Sequence, residues 1–308
     1  MHTHHHPKLL AIGNSFSRNA TEYLPCFAQS QGRQVTLGHA ALGGWSLEKH
    51  WTFAQKYEAA PNDPEGKPYT LAATDGQRQP ASLKQMLLSQ GWDIVTLQQH
   101  SWISHEVATY QPFVSLLAEY VRRHAPQAVL WMHETWAYRA DHPLFRKGLT
   151  QERMYQGLHH AYATVAAQIG AQQIIPVGTA FQDARQDPRW QLEVEQGFDP
   201  QAMTYPQVPR QVHMLCTGWH WNQKQSPPCL AYDGKHCAPA GKYLGTLVWH
   251  QMLFGDFADQ PFVPPELSPD DAAVLQDIAR RTMQGRLEPH RHGCHGSALA
   301  TVNAFTDS

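Results

Sequence analysis

The sequence has few charged residues and lacks the patterns that mark several classes of protein. Charged residues make up 16% of the 308, and the formal net charge is −2. There is no run of five or more basic residues, which argues against a nucleic-acid partner. No apolar stretch reaches the roughly 20 residues needed to cross a bilayer, so we expect no membrane span. Apolar residues still make up 42%, enough for a sizeable core.

No signal peptide is visible, because the N-terminal "MHTHHHPKLLAIG" has no apolar region ahead of its first apolar run. We therefore expect a cytoplasmic protein, or a periplasmic or secreted one if a signal has been removed. The five cysteines are widely spaced and form no CxxC motif, which favours free thiols. Pairing of Cys216 with Cys229 or Cys237 is the alternative.

Cofactor motifs are also missing. The segment "GTAFQDAR" lacks the glycine patterns of phosphate-binding loops. The histidine-rich stretches "HTHHH" at 2–6 and "HRHGCH" at 290–295 contain metal-ligand residue types, but neither has the spacing of a structural zinc site. We interpret them as adventitious or tag-like and predict neither a metal nor a cofactor.

Short apolar runs alternate along the chain with segments of helical periodicity. Such near-continuous apolar strands predict a parallel sheet covered by helices on both faces, in a single three-layer α/β domain. The runs are "KLLAIG" at 8–13, "QVTLGHA" at 34–40, "DIVTLQQ" at 93–99, "AVLWMH" at 128–133 and "QQIIPVG" at 172–178.

Two irregular regions, 57–79 and 183–232, interrupt this alternation. Long irregular loops in compact domains are often lids or binding surfaces. A final helix follows Ser268, a residue suited to capping its N-terminus. The predicted division is a disordered or tag-like segment 1–7, a domain at 8–255, a helical extension at 256–286 and a flexible tail at 287–308.

Polar residues and glycines stand where three of the predicted strands end. "GNSFS" places Ser15 between the first strand and a helix, "GGWSL" places Gly44 after the second strand, and "LQQHS" places Gln98 and Gln99 at the end of the third. The carboxyl ends of parallel strands meet at one edge, where ligands bind. Glycine N–H groups and glutamine amides there can donate to a developing oxyanion. Taken singly, each has a purely structural interpretation as a turn or loop contact.

The segment "YDGKHCAPAGKYL" supplies a fourth signal. Asp233 and His236 are three residues apart on a turn that enters a predicted helix. A carboxylate at that spacing can fix the tautomer of a histidine base and stabilise its imidazolium form. The alternative is a turn aspartate beside an ordinary polar histidine.

The order of these segments resembles that of the SGNH (GDSL-type) hydrolase superfamily. "GNSFS" is similar to its first block with Asn14 in place of the acid, "GGWSL" to its second, and "DGKH" to its last, over roughly residues 8–255. The third block normally reads Gly-x-Asn, and "LQQHS" departs from it. The phrases "TLQQHS", "WMHETWAY" and "DGKHCAPAGKYL" resemble a poorly characterised branch that carries a Gln-Gln pair there.

The resemblance implies a flavodoxin-like α/β/α sandwich of about five strands and a serine mechanism without metal or cofactor. Ser15 would be the nucleophile, His236 its base, and Asp233 the residue that orients His236. The N–H groups of Ser15 and Gly44 would form the oxyanion hole with a glutamine amide. Gln99 is favoured, and Gln98 stays open because alternation sends the two side chains to opposite sides.

Residues near the same edge are candidates for a substrate pocket. The candidates are Asn14, Trp45, His133, Glu134 and Trp136. Further tryptophans at 102, 219 and 221 fall in or near the predicted edge loops, where aromatic rings can stack on a sugar or close an acyl pocket. The plainer interpretations are tryptophans packed under loops and a buried, satisfied pair at His133 and Glu134.

We therefore expect hydrolysis of a small-molecule or carbohydrate ester through an acyl-Ser15 intermediate, with deacetylation of a carbohydrate as the resemblance-based choice. A short- or medium-chain acyl esterase or lysophospholipase is the alternative within the class. A non-catalytic carbohydrate-binding protein on the same scaffold is the alternative from another class, supported by the unusual "LQQHS" block. A metal-dependent hydrolase ranks third.

Overall fold

The structure is a computed structural model that describes residues 6–72, 77–258 and 261–287. The predicted tag-like segment, except for its last residues, and the predicted tail beyond Leu287 lie outside the described residues. The same is true of "HRHGCH", which includes Cys294, and of all of "HTHHH" except His6.

Strands and helices alternate through the first two thirds of the chain. The strands are β1 (Lys8–Gly13), β2 (Thr36–Ala41), β3 (Tyr69–Ala72), β4 (Arg78–Ala81), β5 (Ile94–Leu97), β6 (Val129–His133), β7 (Gln173–Ile175), β8 (Glu193–Val194), β9 (Gln211–Val212), β10 (Trp219–Asn222) and β11 (Cys229–Tyr232). The helices are α1 (Ser15–Ala20), α2 (Leu24–Ser30), α3 (Leu47–Ala59), α4 (Leu83–Leu88), α5 (Phe113–His124), α6 (Gln151–Ile169), α7 (Val177–Gln186), α8 (Pro239–Phe254) and α9 (Pro269–Leu287).

Five strands form one parallel sheet in the order β2-β1-β5-β6-β7. These are the five strands predicted from the apolar runs, so the predicted α/β fold class is confirmed. The interior of β1 explains the prediction, since Leu9, Leu10 and Ile12 are all fully buried. A strand covered on both faces needs apolar residues at every position, not at alternate ones.

The helices form two layers. On one side α8 packs against α1, α2, α7 and α9, and on the other α5 packs against α3, α4 and α6. Local signals set several helix ends. Gly170 ends α6 in a left-handed conformation with φ of 62°, and Ser268 Oγ accepts from the Asp271 amide at the start of α9. Both ends agree with the sequence prediction.

The two irregular regions contain small two-stranded elements. The first holds the end of α3, a single 3₁₀ turn and β3, which pairs with β4. The second holds the antiparallel pairs β8–β9 and β10–β11. That this second region serves as a lid stays a prediction. In the described ranges, none of the helices has the length and apolar character of a membrane span.

The strand order places a topological switch between β1 and β5. The chain leaves β1 for β2 on one side and later adds β5 on the other. In open α/β sheets, a crevice forms outside the carboxyl ends of the two strands at such a point, and ligands bind there. Ser15 begins α1 directly after β1, and Gln98 and Gln99 follow β5, so both segments reach this crevice.

Close packing of α1 against α8 makes a test of this architecture. A Cβ atom at Gly245 in α8 would lie 2.8 Å from the Cα of Ala20, whereas one at Gly285 in α9 would meet nothing within 4 Å. We expect Gly245→Ala to lower the free energy of unfolding by about 1–3 kcal/mol, because the two backbones must separate. The matched Gly285→Ala change should raise it by about 0.5–1 kcal/mol, since alanine favours the helix.

Urea unfolding of the two variants beside the unchanged protein measures both effects. Equal effects of the two substitutions would contradict the helix contact described here.

Candidate active site

Ser15 lies at the first position of α1, immediately after a turn held by Asn14. The Asn14 side chain accepts from the Phe16 amide at 3.0 Å and donates to the Trp45 carbonyl at 3.0 Å. It therefore caps the helix and ties the Ser15 turn to the segment after β2. The preceding Gly13 has no room for a side chain, because a Cβ there would lie 2.6 Å from Gln98 Oε1.

Ser15, His236 and Asp233 form a continuous hydrogen-bonded chain. Ser15 Oγ lies 2.9 Å from His236 Nε2, and His236 Nδ1 lies 2.7 Å from Asp233 Oδ2. The structure thus brings together the three residues that the sequence predicts as nucleophile, base and orienting carboxylate. They lie at hydrogen-bonding distances suited to proton transfer from a serine to a histidine.

Asp233 is held by its own turn as well as by His236. Its Oδ1 accepts from the amides of Lys235 at 3.0 Å and His236 at 2.8 Å. Burial acts to raise the pKa of this carboxyl, but the hydrogen bonds from His236 and Lys235 outweigh it and hold the pKa well below its usual range. The carboxylate is therefore ionised opposite His236. Gly234 permits the turn, with a φ of 74°.

The Gln98 side chain holds the turn that contains Ser15. Its Oε1 accepts from the amide of Asn14 at 3.2 Å and from the amide and hydroxyl of Ser17 at 3.3 and 2.8 Å. Its amide nitrogen donates to the Gln99 carbonyl at 2.6 Å, and the side chain is fully buried. The contacts of Gln98 thus join the end of β5 to the beginning of α1.

Gln99 makes the corresponding contacts to the segment after β2. Its Oε1 accepts from the amides of Leu47 at 3.0 Å and His100 at 2.9 Å, and its amide nitrogen donates to the Thr109 carbonyl at 2.8 Å. Both glutamine side chains are buried and partnered by backbone groups. That one of them also donates to an oxyanion stays a prediction.

The two backbone N–H groups predicted for the oxyanion hole have no hydrogen-bond acceptor in the described ranges. Among the described residues, the amides of Ser15 and Gly44 donate to no group. Gly44 has a φ of 70° in a turn closed by the Trp45 amide, which donates to the Leu42 carbonyl at 3.2 Å. A Cβ at Gly44 would meet nothing within 4 Å, so open space lies beside this turn. Unpaired N–H groups of this kind are what an oxyanion hole requires.

Aromatic rings support the loop that carries His236. Phe16 stacks on Trp136 at 4.2 Å between ring centroids and lies 6.0 Å from the His236 ring. Trp136 Nε1 donates to the Lys235 carbonyl at 2.8 Å. Trp136 is fully buried, so this predicted pocket residue supports the loop and exposes no surface to a pocket.

His133 and Glu134, two predicted pocket residues, lie buried at the end of β6. His133 contacts Ser17 Oγ at 3.4 Å and packs on Trp249, and burial lowers its pKa to about 3. Glu134 accepts from the amide and hydroxyl of Thr179 at 2.8 and 2.9 Å. Both side chains are buried, as the plainer interpretation expects, but His133 Nε2 has no hydrogen-bond partner among the described residues.

Partly exposed aromatic residues remain around the crevice. Trp45 lies 4.6 Å from Phe53 between ring centroids, with Lys49 Nζ 5.4 Å from its ring. Trp102 lies 5.9 Å from Tyr138, whose hydroxyl contacts Ser101 Oγ at 2.9 Å. The tryptophans at 219 and 221 lie on β10 and are also partly exposed.

His100 is a further candidate that the sequence reasoning did not single out, although it stands inside "LQQHS". Its amide is held by Gln99, while its half-buried ring hydrogen-bonds no described group. Burial and the positive charge of Lys235 lower the pKa of its ring, so the neutral form prevails near pH 7. A neutral imidazole retains one N–H donor. The sequence signal that could have identified His100 is its position directly after Gln98 and Gln99, which follow the end of β5.

Metal binding finds no support in the described part of the chain, where no three His, Cys, Asp or Glu side chains are grouped to hold an ion. The cysteines at 26, 216, 229 and 237 are free thiols. Cys216 and Cys237 lie opposite each other in an isolated antiparallel bridge.

The fold and this site define a three-layer α/β protein with a serine–histidine–aspartate chain at its topological switch. A family model described as "Domain of unknown function (DUF4886)" matches residues 8–205, which is more than half of the chain. The protein therefore belongs to the DUF4886 family, a poorly characterised family in agreement with the prediction from "LQQHS". No curated protein is significantly similar to this chain.

Several solved structures are similar to this chain. A DUF4886 family protein from Bacteroides uniformis is 24% identical, with a TM-score of 0.70 over 94% of this chain and 98% of that one. A candidate SGNH hydrolase from Slackia heliotrinireducens is 22% identical, with a TM-score of 0.49 over 81% of this chain and 100% of that one. A lipase/acylhydrolase from Enterococcus faecalis is 12% identical, with a TM-score of 0.45 over 82% and 98%.

The lowered pKa of Asp233 gives a test by pH. A carboxyl whose pKa is depressed on folding adds stability that is present above its unfolded pKa of about 3.9 and is lost as the pH falls through the folded value. We expect the difference in unfolding free energy between the protein and Asp233→Asn to be constant near neutral pH. It should shrink as the pH falls below about 4.

Urea unfolding at a series of pH values measures this difference. Asp199→Asn is the matched control, because exposed Asp199 also accepts from the amide two residues later, at 2.9 Å. A difference for Asp233→Asn that does not change with pH would show that the carboxylate is not stabilised in the way described.

Proposed function

We propose that this protein hydrolyses carboxylic esters through an acyl-Ser15 intermediate. The observation that carries the proposal is the hydrogen-bonded chain of Ser15, His236 and Asp233 beside the free amides of Ser15 and Gly44. A nucleophile, a base, a carboxylate and two unpaired donors at a switch point are the complete set that acyl transfer requires.

In the proposed reaction, Ser15 Oγ attacks the ester carbonyl while His236 Nε2 takes its proton. The negative charge that develops on the carbonyl oxygen is stabilised by the N–H groups of Ser15 and Gly44. The tetrahedral intermediate collapses as His236 returns the proton to the departing alcohol, leaving the acyl group on Ser15. Water then attacks the acyl carbon by the same steps and releases the acid.

Asp233 serves this cycle by position and charge. Its Oδ2 accepts from His236 Nδ1–H, which leaves Nε2 as the atom that accepts the Ser15 proton. Because Asp233 stays ionised, it also stabilises the imidazolium ion formed after each proton transfer.

Removal of an acetyl group from a carbohydrate is our choice of substrate class. Trp45 and Trp102 are partly exposed in the segments that follow β2 and β5, and the tryptophans of β10 are partly exposed as well. Flat aromatic surface of this kind suits a sugar ring. Hydrolysis of short or medium acyl chains, as by an esterase or lysophospholipase, would use the same rings as apolar walls.

A non-catalytic carbohydrate-binding role is the rival from another class. A binding protein has no use for a serine, histidine and aspartate held at 2.9 and 2.7 Å from one another. The unusual "LQQHS" block remains the main support for that rival, since both glutamine amide nitrogens donate to backbone carbonyls.

Hydrolysis of p-nitrophenyl acetate and its longer-chain homologues, with chelator present, tests the proposal. We expect turnover by the unchanged protein and a loss of about 10³- to 10⁶-fold in Ser15→Ala. Ser115→Ala on α5 is the matched control, since its hydroxyl bonds Gln111 on the protein surface. A fluorophosphonate should label Ser15 stoichiometrically.

If the unchanged protein hydrolyses none of these esters, acetylated sugars are the next substrates to assay. Absence of hydrolysis of the acetylated sugars, together with no labelling of Ser15, would favour the carbohydrate-binding role. Turnover that chelator abolishes would favour a metal-dependent hydrolase.

We extend the proposal to His100 as a third oxyanion donor. It follows β5 at the switch point, and its ring is close enough to Lys235, the neighbour of His236, to feel that charge. We expect His100→Ala to lower kcat by about 10²- to 10³-fold with little change in KM, as for other single oxyanion donors.

His100→Asn restores an N–H donor at this position and should recover part of the lost rate. Steady-state kinetics of both variants, with the affinity for a boronic acid transition-state analogue, separates this role from a structural one. An unchanged kcat in His100→Ala would exclude His100 from the hole.

A further inference from the structure

A cavity lies apart from the residues of the proposed reaction. Its volume is about 460 Å³, within the range of small-molecule sites, and neither Ser15, Asp233 nor His236 lines it. Its lining combines cationic, amide and apolar side chains, among them Arg139, Arg185, His213, Trp190, Leu192 and Val194.

Packed side chains separate this cavity from Ser15. Phe16 stacks on Trp136, and Trp136 stacks on Phe181 with 4.7 Å between ring centroids. The Arg185 guanidinium lies 5.9 Å from the Phe181 ring and lines the cavity. Cys216 also lines it, whereas Cys237, its bridge partner next to His236, does not.

Arg185 has hydrogen bonds but no counter-ion. Its Nη2 donates to the Ala137 carbonyl at 2.7 Å and contacts Cys216 Sγ at 3.6 Å. Its Nη1 is buried with no partner among the described residues, none of whose carboxylates forms an ion pair with Arg185. Burial also lowers the pKa of this guanidinium, so its charge is held at a cost. A buried donor of this kind calls for a partner.

The other charges around the cavity leave that positive charge uncancelled. Arg139 is buried and paired with Asp141 at 2.7 Å, and its Nη1 donates to Gln211 at 3.0 Å. Arg139 and Asp141 therefore neutralise each other. Of the two arginines that line the cavity, Arg185 is therefore the one without a carboxylate partner within the described ranges.

The acidic residues in and beside β8 do not line this space. Leu192, Val194 and Gln196 line the cavity, whereas Glu193 and Glu195 do not. Glu193 pairs with Arg210 at 3.0 Å, and Glu195 accepts from the Arg210 amide at 2.9 Å. Nearby carboxylates are thus used elsewhere, and an apolar wall faces Arg185.

We propose that this cavity binds a small organic carboxylate. The carboxylate would lie against the Arg185 guanidinium and supply the missing counter-charge, in a charge-assisted hydrogen bond. Its hydrocarbon portion would pack on Trp190, Leu192 and Val194. The ligand class is therefore a monoanion with a short apolar chain.

Isothermal titration calorimetry with hexanoate, at constant ionic strength, tests the site. We expect one hexanoate per chain with a Kd on the order of 0.1–1 mM. The neutral isostere hexanamide should not bind, because it lacks the charge. Inorganic phosphate should bind more weakly than hexanoate, because it lacks the apolar chain.

Gln191→Glu places a carboxylate in the cavity wall and leaves the Arg185 residue itself unchanged. We expect the Kd for hexanoate to rise by about 10-fold or more, because loss of one hydrogen bond to a charged group changes a binding constant by about that factor. Gln55→Glu, the same change at an exposed position on α3, should leave it unchanged. Arg185→Gln should also lose hexanoate binding. If Arg185→Gln does not fold, the result for Gln191→Glu still tests whether hexanoate binds in this cavity.

Protein whose Ser15 carries a fluorophosphonate adduct, and Ser15→Ala, should both bind hexanoate normally. This comparison distinguishes hexanoate binding in the cavity from binding of a reaction product at Ser15. The comparison is valid whether or not the protein hydrolyses esters. Loss of binding on blocking Ser15, equal binding of hexanamide, or full binding by Gln191→Glu would each overturn the proposal. Phosphate binding without hexanoate binding would overturn the apolar part of the ligand class.

Discussion

The side-chain carbonyl of Gln98 is the contact on which the candidate site depends. It accepts from three donors in the segment that begins α1, those of Asn14 and Ser17, and so fixes the backbone on both sides of Ser15. Glycine at 13 is its counterpart, because any side chain there would occupy the position of this carbonyl. A buried amide that meets several backbone donors is costly to leave unpaired, so the turn has one stable arrangement.

The other half of the site is stabilised in the same way, by buried groups that bond to a loop. Trp136 holds the Lys235 carbonyl, the Arg139 amide donates to the Gly234 carbonyl, and Asn19 of α1 accepts from the Cys237 amide. The loop that carries Asp233 and His236 is therefore attached both to the β6 side of the molecule and to the helix that carries Ser15. Positions of catalytic groups held in this manner need no rearrangement before a reaction.

The sequence predicted the sheet well because buried parallel strands have a simple composition. Runs such as "KLLAIG" cannot be surface segments, and their ends locate one edge of the sheet. The residues at that edge were therefore found, and the structure brings Ser15, His236 and Asp233 together. The sequence pattern could not predict the direction of individual side chains. From the sequence alone, Gln98 and Gln99 are candidates for exposed donors, but in the structure they are buried and connect neighbouring turns. Arg185 gave no signal either, since a missing counter-ion is visible only when its neighbours in space are known.

The distance along the chain between Ser15 and His236, 221 residues, has a consequence for how the protein is made. During synthesis, the serine emerges from the ribosome with the first helix, and the histidine emerges only after the whole sheet. The α1–α8 contact, which brings their segments together, likewise joins early and late parts of the chain. The proposed nucleophile therefore lacks its proposed base until all five strands of the sheet have been made. A chain that ends before Asp233 cannot form the hydrogen bonds among Ser15, His236 and Asp233, so these bonds mark a molecule whose sheet is complete.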